Sequence, residues 1–161
     1  MKHSALVLLT TILCTTAAAR PLESVHDNDL TEVTELANAG DPEAVHELCY
    51  RYIYGKEATK NYQKSMQWCA YGAALGIDSS QVLLAEMYLT GQGTKVNNAE
   101  ALHWYTKAAN QGHEHAMLML YHMYQKGLGV PPDQARAMIF LQRAVDAGYE
   151  PAIKTKSELT E

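Results

Sequence analysis

The stretch from Leu84 to Gly112, LAEMYLTGQGTKVNNAEALHWYTKAANQG, sets the architecture, because its glycines and its apolar positions recur at a step of 36 residues. Gly112 follows Gly40 and Gly76 and precedes Gly148; Leu84 lies between Leu48 and Leu120, Tyr88 between Tyr52 and Tyr124, and Gly91 between Gly55 and Gly127. A large aromatic stands 13 residues past each of these last glycines, at Trp68, Trp104 and Phe140. A fixed step of this size without a strand signal marks stacked helical hairpins, each too small to bury its own apolar face alone.

Within one step the pattern reads as two helices. In the third unit, Ala116, Leu120, Met123 and Tyr124 form one apolar stripe, Gly127 ends it, and Gly129-Val130-Pro131-Pro132 turns the chain. Asp133 starts the second helix, whose Ala137, Phe140, Leu141, Ala144 and Val145 follow helical spacing up to Gly148. Short turns between helices of three to four turns demand antiparallel packing. Before the first unit, Leu30, Val33, Leu36 and Ala37 predict a lone capping helix over 29–40, with Asp29 as its N-cap. The repeat domain is expected over 41–161, with repeats at about 44–79, 80–115 and 116–151 and a terminal cap over 152–161. There Lys156 replaces the inner leucine and interrupts the stripe.

The first residues carry Lys2, an apolar run from Ala5 to Cys14, and Ala17, Ala18 and Ala19 before Arg20. This layout predicts a signal peptide over 1–19, cleaved near Ala19, then a flexible lead-in over 20–28. Its apolar run is too short to span a bilayer. Localisation is expected to be periplasmic or secreted, with no membrane insertion after cleavage. The formal charge of −5 disfavours nucleic acid and anionic membranes, both of which need a basic stripe.

The residues Leu84-Ala85-x-x-Tyr88-x-x-Gly91-x-Gly93, then Ala101-x-x-Trp104-Tyr105-x-Lys107-Ala108-Ala109-x-x-Gly112, resemble a Sel1-like repeat, a relative of the tetratricopeptide repeat. The third unit is similar, through Gly127-x-Gly129-Val130-x-x-Asp133 and Arg136-Ala137. The first departs, with Glu57 in place of the second turn glycine and Cys69 beside Trp68; the third has Tyr121 where Cys49 and Ala85 offer small side chains. The resemblance covers about residues 40–152. It implies an all-α, right-handed α/α solenoid of three hairpins with capping helices at both ends. Similar repeats occur in adaptors, regulators, host-contact factors and immunity proteins, so the resemblance implies a fold and not one task. Trp68, Trp104, Phe140 and the tyrosine series are expected to be core, because they recur with the packing period.

Cys49 and Cys69 flank the first turn at comparable distances, so antiparallel helices bring them to similar height. Either a disulfide or two small buried thiols satisfies that placement, and an exported chain favours the bridge. His113, His115 and His122 cluster in sequence but lack any known ligand spacing, so no metal is expected. Gly91-Gln92-Gly93 ends a helix with no preceding strand and no following Lys-Ser pair, so it is no phosphate cradle. No nucleophile, base and orienting residue share a local signature, so neither catalytic residues nor a cofactor are expected, and the chain is read as no enzyme.

What remains is surface. In arrays of this kind the first helices line a concave face. Carrying that frame over places Glu43, His46, Tyr50, Ile53 and Tyr54 of the first unit there, with Val82, Glu86 and Leu89 of the second. Leu118, His122, Gln125 and Lys126 come from the third. Aromatic and aliphatic anchors ringed by polar groups make an interface core. The expected function is a non-enzymatic, exported protein interaction module, an adaptor or regulator in the bacterial envelope holding a peptide, loop or helix. The alternatives are a periplasmic immunity protein against a secreted lipase or hydrolase toxin, an exported hydrolase, and a structural spacer.

Overall fold

The computed structural model describes residues 29–56 and 58–159. The signal peptide, the lead-in, Glu57 and the final two residues lie outside them. The described residues form eight helices: α1 (Leu30–Asn38), α2 (Pro42–Tyr54), α3 (Tyr62–Ala74), α4 (Asp78–Thr90), α5 (Asn98–Asn110), α6 (Glu114–Lys126), α7 (Gln134–Asp146) and α8 (Glu150–Glu158). Each packs on its neighbour in sequence, and α2 also touches α4. The fold is thus an α/α solenoid in which α2/α3, α4/α5 and α6/α7 are the hairpins and α1 and α8 the single end helices.

The repeated residues act through the same contacts in every hairpin. Gly127 ends α6 at φ 70°, in the left-handed region, and its N–H returns to Met123. The next helix opens on Asp133, whose N–H donates to the Tyr124 carbonyl and whose carboxylate accepts from Arg136 N–H. Asn61 and Asn97 donate in the same way to Tyr52 and Tyr88, so each tyrosine's carbonyl closes its own turn. At Gly129 a Cβ would collide with the Asn98 carbonyl. At Gly93 a Cβ would likewise collide with the Tyr62 carbonyl, so in the second and third hairpins this glycine lets the loop lie against the start of the preceding hairpin's second helix.

Leu48, Leu84 and Leu120 are fully or almost fully buried, as is each small residue at Ala44, Ser80, Ala116 and Ala152. The large aromatics behave differently from the core expected of them. Trp68, Trp104 and Phe140 are only partly buried. Trp68 packs against the clusters that include Leu48 and Leu84, and Trp104 against those that include Leu84 and Leu120. They are wedges between consecutive hairpins, and a wedge at a seam keeps one edge in water. Lys107 sets its ammonium 4.4 Å from the centre of the Trp104 ring. Lys156 keeps its ammonium on the Gln142 side chain, so the interruption of the last stripe is met by a polar contact.

Cys49 and Cys69 are joined by a disulfide, with Cα atoms 4.9 Å apart. Ser65 crosses the same interface, donating its hydroxyl to the Cys49 carbonyl at 2.8 Å. Tyr121 enters the core with its hydroxyl accepting from Gln125 at 3.1 Å. It shares a buried cluster with Leu141, which stands at the position of Tyr105 in the previous hairpin.

Candidate functional site

The first helices α2, α4 and α6 lie side by side, and between them opens a pocket of about 220 Å³. Ile53 and Tyr54 enter from the end of α2, Glu86, Leu89 and Thr90 from α4, and Met119 from α6. Tyr105 contributes from α5, behind that layer. Ile53, Tyr54, Glu86 and Leu89 were placed on one face by the helical frame, and they meet here. Tyr50 stands beside them at the rim, its ring 4.5 Å from that of Tyr54. Tyr54 is 53% exposed, so the lip of the pocket is aromatic and wet.

Other residues assigned to this face stand elsewhere. Val82 and Leu118 are only 5% and 8% exposed and belong to the central apolar cluster. The physical reason is that an inner helix has neighbours on several sides. α4 packs on α2, α3 and α5, and buries seven of its residues, from Ser80 to Ala85 and Met87. A wide arc of such a helix is core, and little apolar surface remains for a partner. Glu43, Gln125 and Lys126 are exposed, and His46 is partly buried with Nδ1 3.4 Å from the Ser80 hydroxyl. His122 is partly buried against the Tyr121 ring. Burial, then the Lys126 charge, lowers its pKa.

Polar chemistry at the pocket centres on Glu86. Its Oε1 lies 3.3 Å from His115 Nε2, and the other ring nitrogen of His115 lies 3.1 Å from the Tyr149 hydroxyl. This chain of contacts ties α4 to α6 and to the start of α8. Burial pushes the Tyr54 phenol up, with further contributions from Glu86 and Tyr50. Tyr105 is pushed up more strongly, by burial first and then by Glu86. The Tyr105 side chain is fully buried, and its hydroxyl meets no hydrogen-bond partner within the described residues. The 36-residue period marks Trp104 and not Tyr105 beside it, so the period does not bring Tyr105 to this face. The signal was there: a phenol occupies the position of Cys69 and Leu141, opposite a helix whose Ala85 leaves room for it.

His113 and His115 do not gather with His122 as ligands. Among the described residues no group of three or more His, Cys, Asp or Glu side chains is placed to hold a metal ion. No helix among them is long and apolar enough to cross a membrane.

A family model described as Sel1 repeat matches residues 42–77, 78–113 and 115–149. A search of curated proteins found no match. Among solved structures, a Sel1 repeat protein from Oxalobacter formigenes is 32% identical, with a TM-score of 0.72 over 81% of this chain and 98% of that one. A protective antigen of uropathogenic Escherichia coli with an SLR fold is also 32% identical, with a TM-score of 0.76 over 78% of this chain. The chain spans 27% of that antigen's length. The Helicobacter pylori cysteine rich protein B shares the fold at 19% identity and a TM-score of 0.64, covering 84% of this chain and 99% of its own.

Proposed function

The chain belongs to the Sel1 repeat family, and from that premise we propose that it is a non-enzymatic, exported interaction module of the bacterial envelope. Proteins built of these repeats generally mediate protein–protein interactions. In this reading it is an adaptor or regulator that grips a peptide, loop or helix of a protein partner on the concave face lined by its first helices. The observation that carries the reading is the pocket between α2, α4 and α6 with its rim of Tyr50 and Tyr54. Paired aromatics beside a small apolar recess are what an interface hot spot needs, since they offer large contact area at little cost in side-chain freedom. The Cys49–Cys69 disulfide supports export, because such bonds persist in oxidising compartments.

The test is recovery of partners from an envelope extract with the wild-type chain and with a Tyr50→Ala, Tyr54→Ala variant. One dominant protein, bound by the first and lost by the second, is the expected result. Equal recovery by both chains would refute binding at this face.

A further inference from the structure

The interior of the pocket is more selective than its rim. Its walls are apolar, from Ile53, Leu89 and Met119, yet two polar groups stand at it: the Glu86 carboxylate and the fully buried Tyr105 hydroxyl. A buried hydroxyl without a partner is costly, and a ligand that supplies one recovers that cost on binding. Tyr105 and Glu86 line the same pocket, and burial first and then the Glu86 charge raise the Tyr105 pKa. His115 engages only Oε1 of Glu86, which leaves Oε2 for a ligand. No lysine or arginine is among the residues that line the pocket, and His115 meets the carboxylate from outside that lining. The two tyrosine rings at the lip are in contact with each other and present exposed aromatic surface to a cation approaching the pocket.

We propose that this pocket receives a single basic side chain, arginine or lysine, projected by the partner segment that docks across α2, α4 and α6. The assignment rests on the interaction-module reading and names the chemistry that its partner must carry. The aliphatic stem lies along Ile53, Leu89 and Met119, and the charged head reaches Glu86 and donates to the Tyr105 hydroxyl. A neutral side chain of equal length would fill the walls but offer no donor to Glu86 Oε2 or to the Tyr105 hydroxyl. An acidic one would set a second negative charge against Glu86.

The probes are the N-acetyl, N-methylamide derivatives of arginine, lysine and norleucine, titrated into the full chain while the Ile53 methyl and Tyr105 ring NMR signals are followed. Saturable shifts with the two basic probes, and much weaker ones with norleucine, are expected. Glu86→Gln should weaken the basic probes about tenfold by removing a charge-assisted contact. Tyr105→Phe should weaken them about threefold without lowering the thermal unfolding midpoint, because the hydroxyl has no bond to lose among the described residues. Norleucine binding as tightly as arginine, no saturable shift with any probe, or no effect of Glu86→Gln would each overturn the proposal. The partner assay separates the two readings. A partner lost by the tyrosine variant but kept at full affinity by Glu86→Gln overturns the basic-pocket assignment and leaves the interaction module standing.

Discussion

The first and second hairpins share a backbone and differ in what fills it. At equivalent positions Cys49 and Cys69 of the first correspond to Ala85 and Tyr105 of the second, and Glu47 and Arg51 correspond to Leu83 and Met87. The first hairpin closes its interface with a covalent bond and buries an ion pair, Arg51 Nε to Glu47 Oε1 at 2.7 Å, with both residues almost wholly shielded. The second closes it with a ring against an alanine and buries thioether and leucine in place of the charges. One period therefore fixes the helix positions, while the chemistry between them is free to vary. In the second hairpin that freedom is what brings a phenol through to the pocket.

The ion pair gives the sharpest way to separate the two hairpins. Arg51→Met puts the second hairpin's residue into the first and removes the buried cation that faces the Glu47 carboxylate, so it should cost about 3 to 5 kcal/mol in denaturant unfolding. Adding Glu47→Leu should restore most of that loss; a double variant no more stable than the single would show that the pair is not the unit that matters. Next in size is the disulfide. A Cys49→Ala, Cys69→Ala variant should lose about 3 kcal/mol, the loop-closure contribution expected for 20 residues of separation. Thiol titration of the unfolded, unreduced chain should find neither cysteine free.

The seams between hairpins should be worth less than their interiors. Trp104→Ala should cost about 2 to 3 kcal/mol, below the range for a fully buried aromatic, because the ring keeps an exposed edge. A loss beyond that would mean the wedge carries the array and not merely the seam. The smallest effect concerns pH. His122 has its pKa lowered from 6.5 by burial and by Lys126, so its neutral form is the one the fold favours. Its contribution is complete above pH 6.5 and declines as pH falls below that value. A His122→Gln variant should flatten the acid side of the stability profile.

Much of this architecture was legible from spacing alone. The turn glycines, the buried leucine at 48, 84 and 120 and the aromatic wedges all repeat, and repetition is visible without knowing what each residue touches. Four of the face residues, Ile53, Tyr54, Glu86 and Leu89, could be brought together because a helical frame fixes which side chains share a side. What the period hid was departure from it. Glu47 and Arg51 fall outside the repeated positions, and nothing in one helix says that a neighbour will cover them. The repeat frame puts Val82 and Leu118 on the concave face, whereas an inner helix is enclosed over a wider arc and buries both. Tyr105 lies on a second helix and reaches the face only through the space beside Ala85, a tertiary effect of two hairpin positions read together.

The central claim is that the face built from α2, α4 and α6 is where a protein partner sits. Amide hydrogen exchange of the chain, alone and with the partner recovered from the envelope extract, reads that face directly. Slowed exchange concentrated at the ends of α2 and α4 around Tyr54 and Glu86, and along α6 near Met119, is the predicted result. Slowing confined to α3, α5 and α7, with those first helices unchanged, would contradict it.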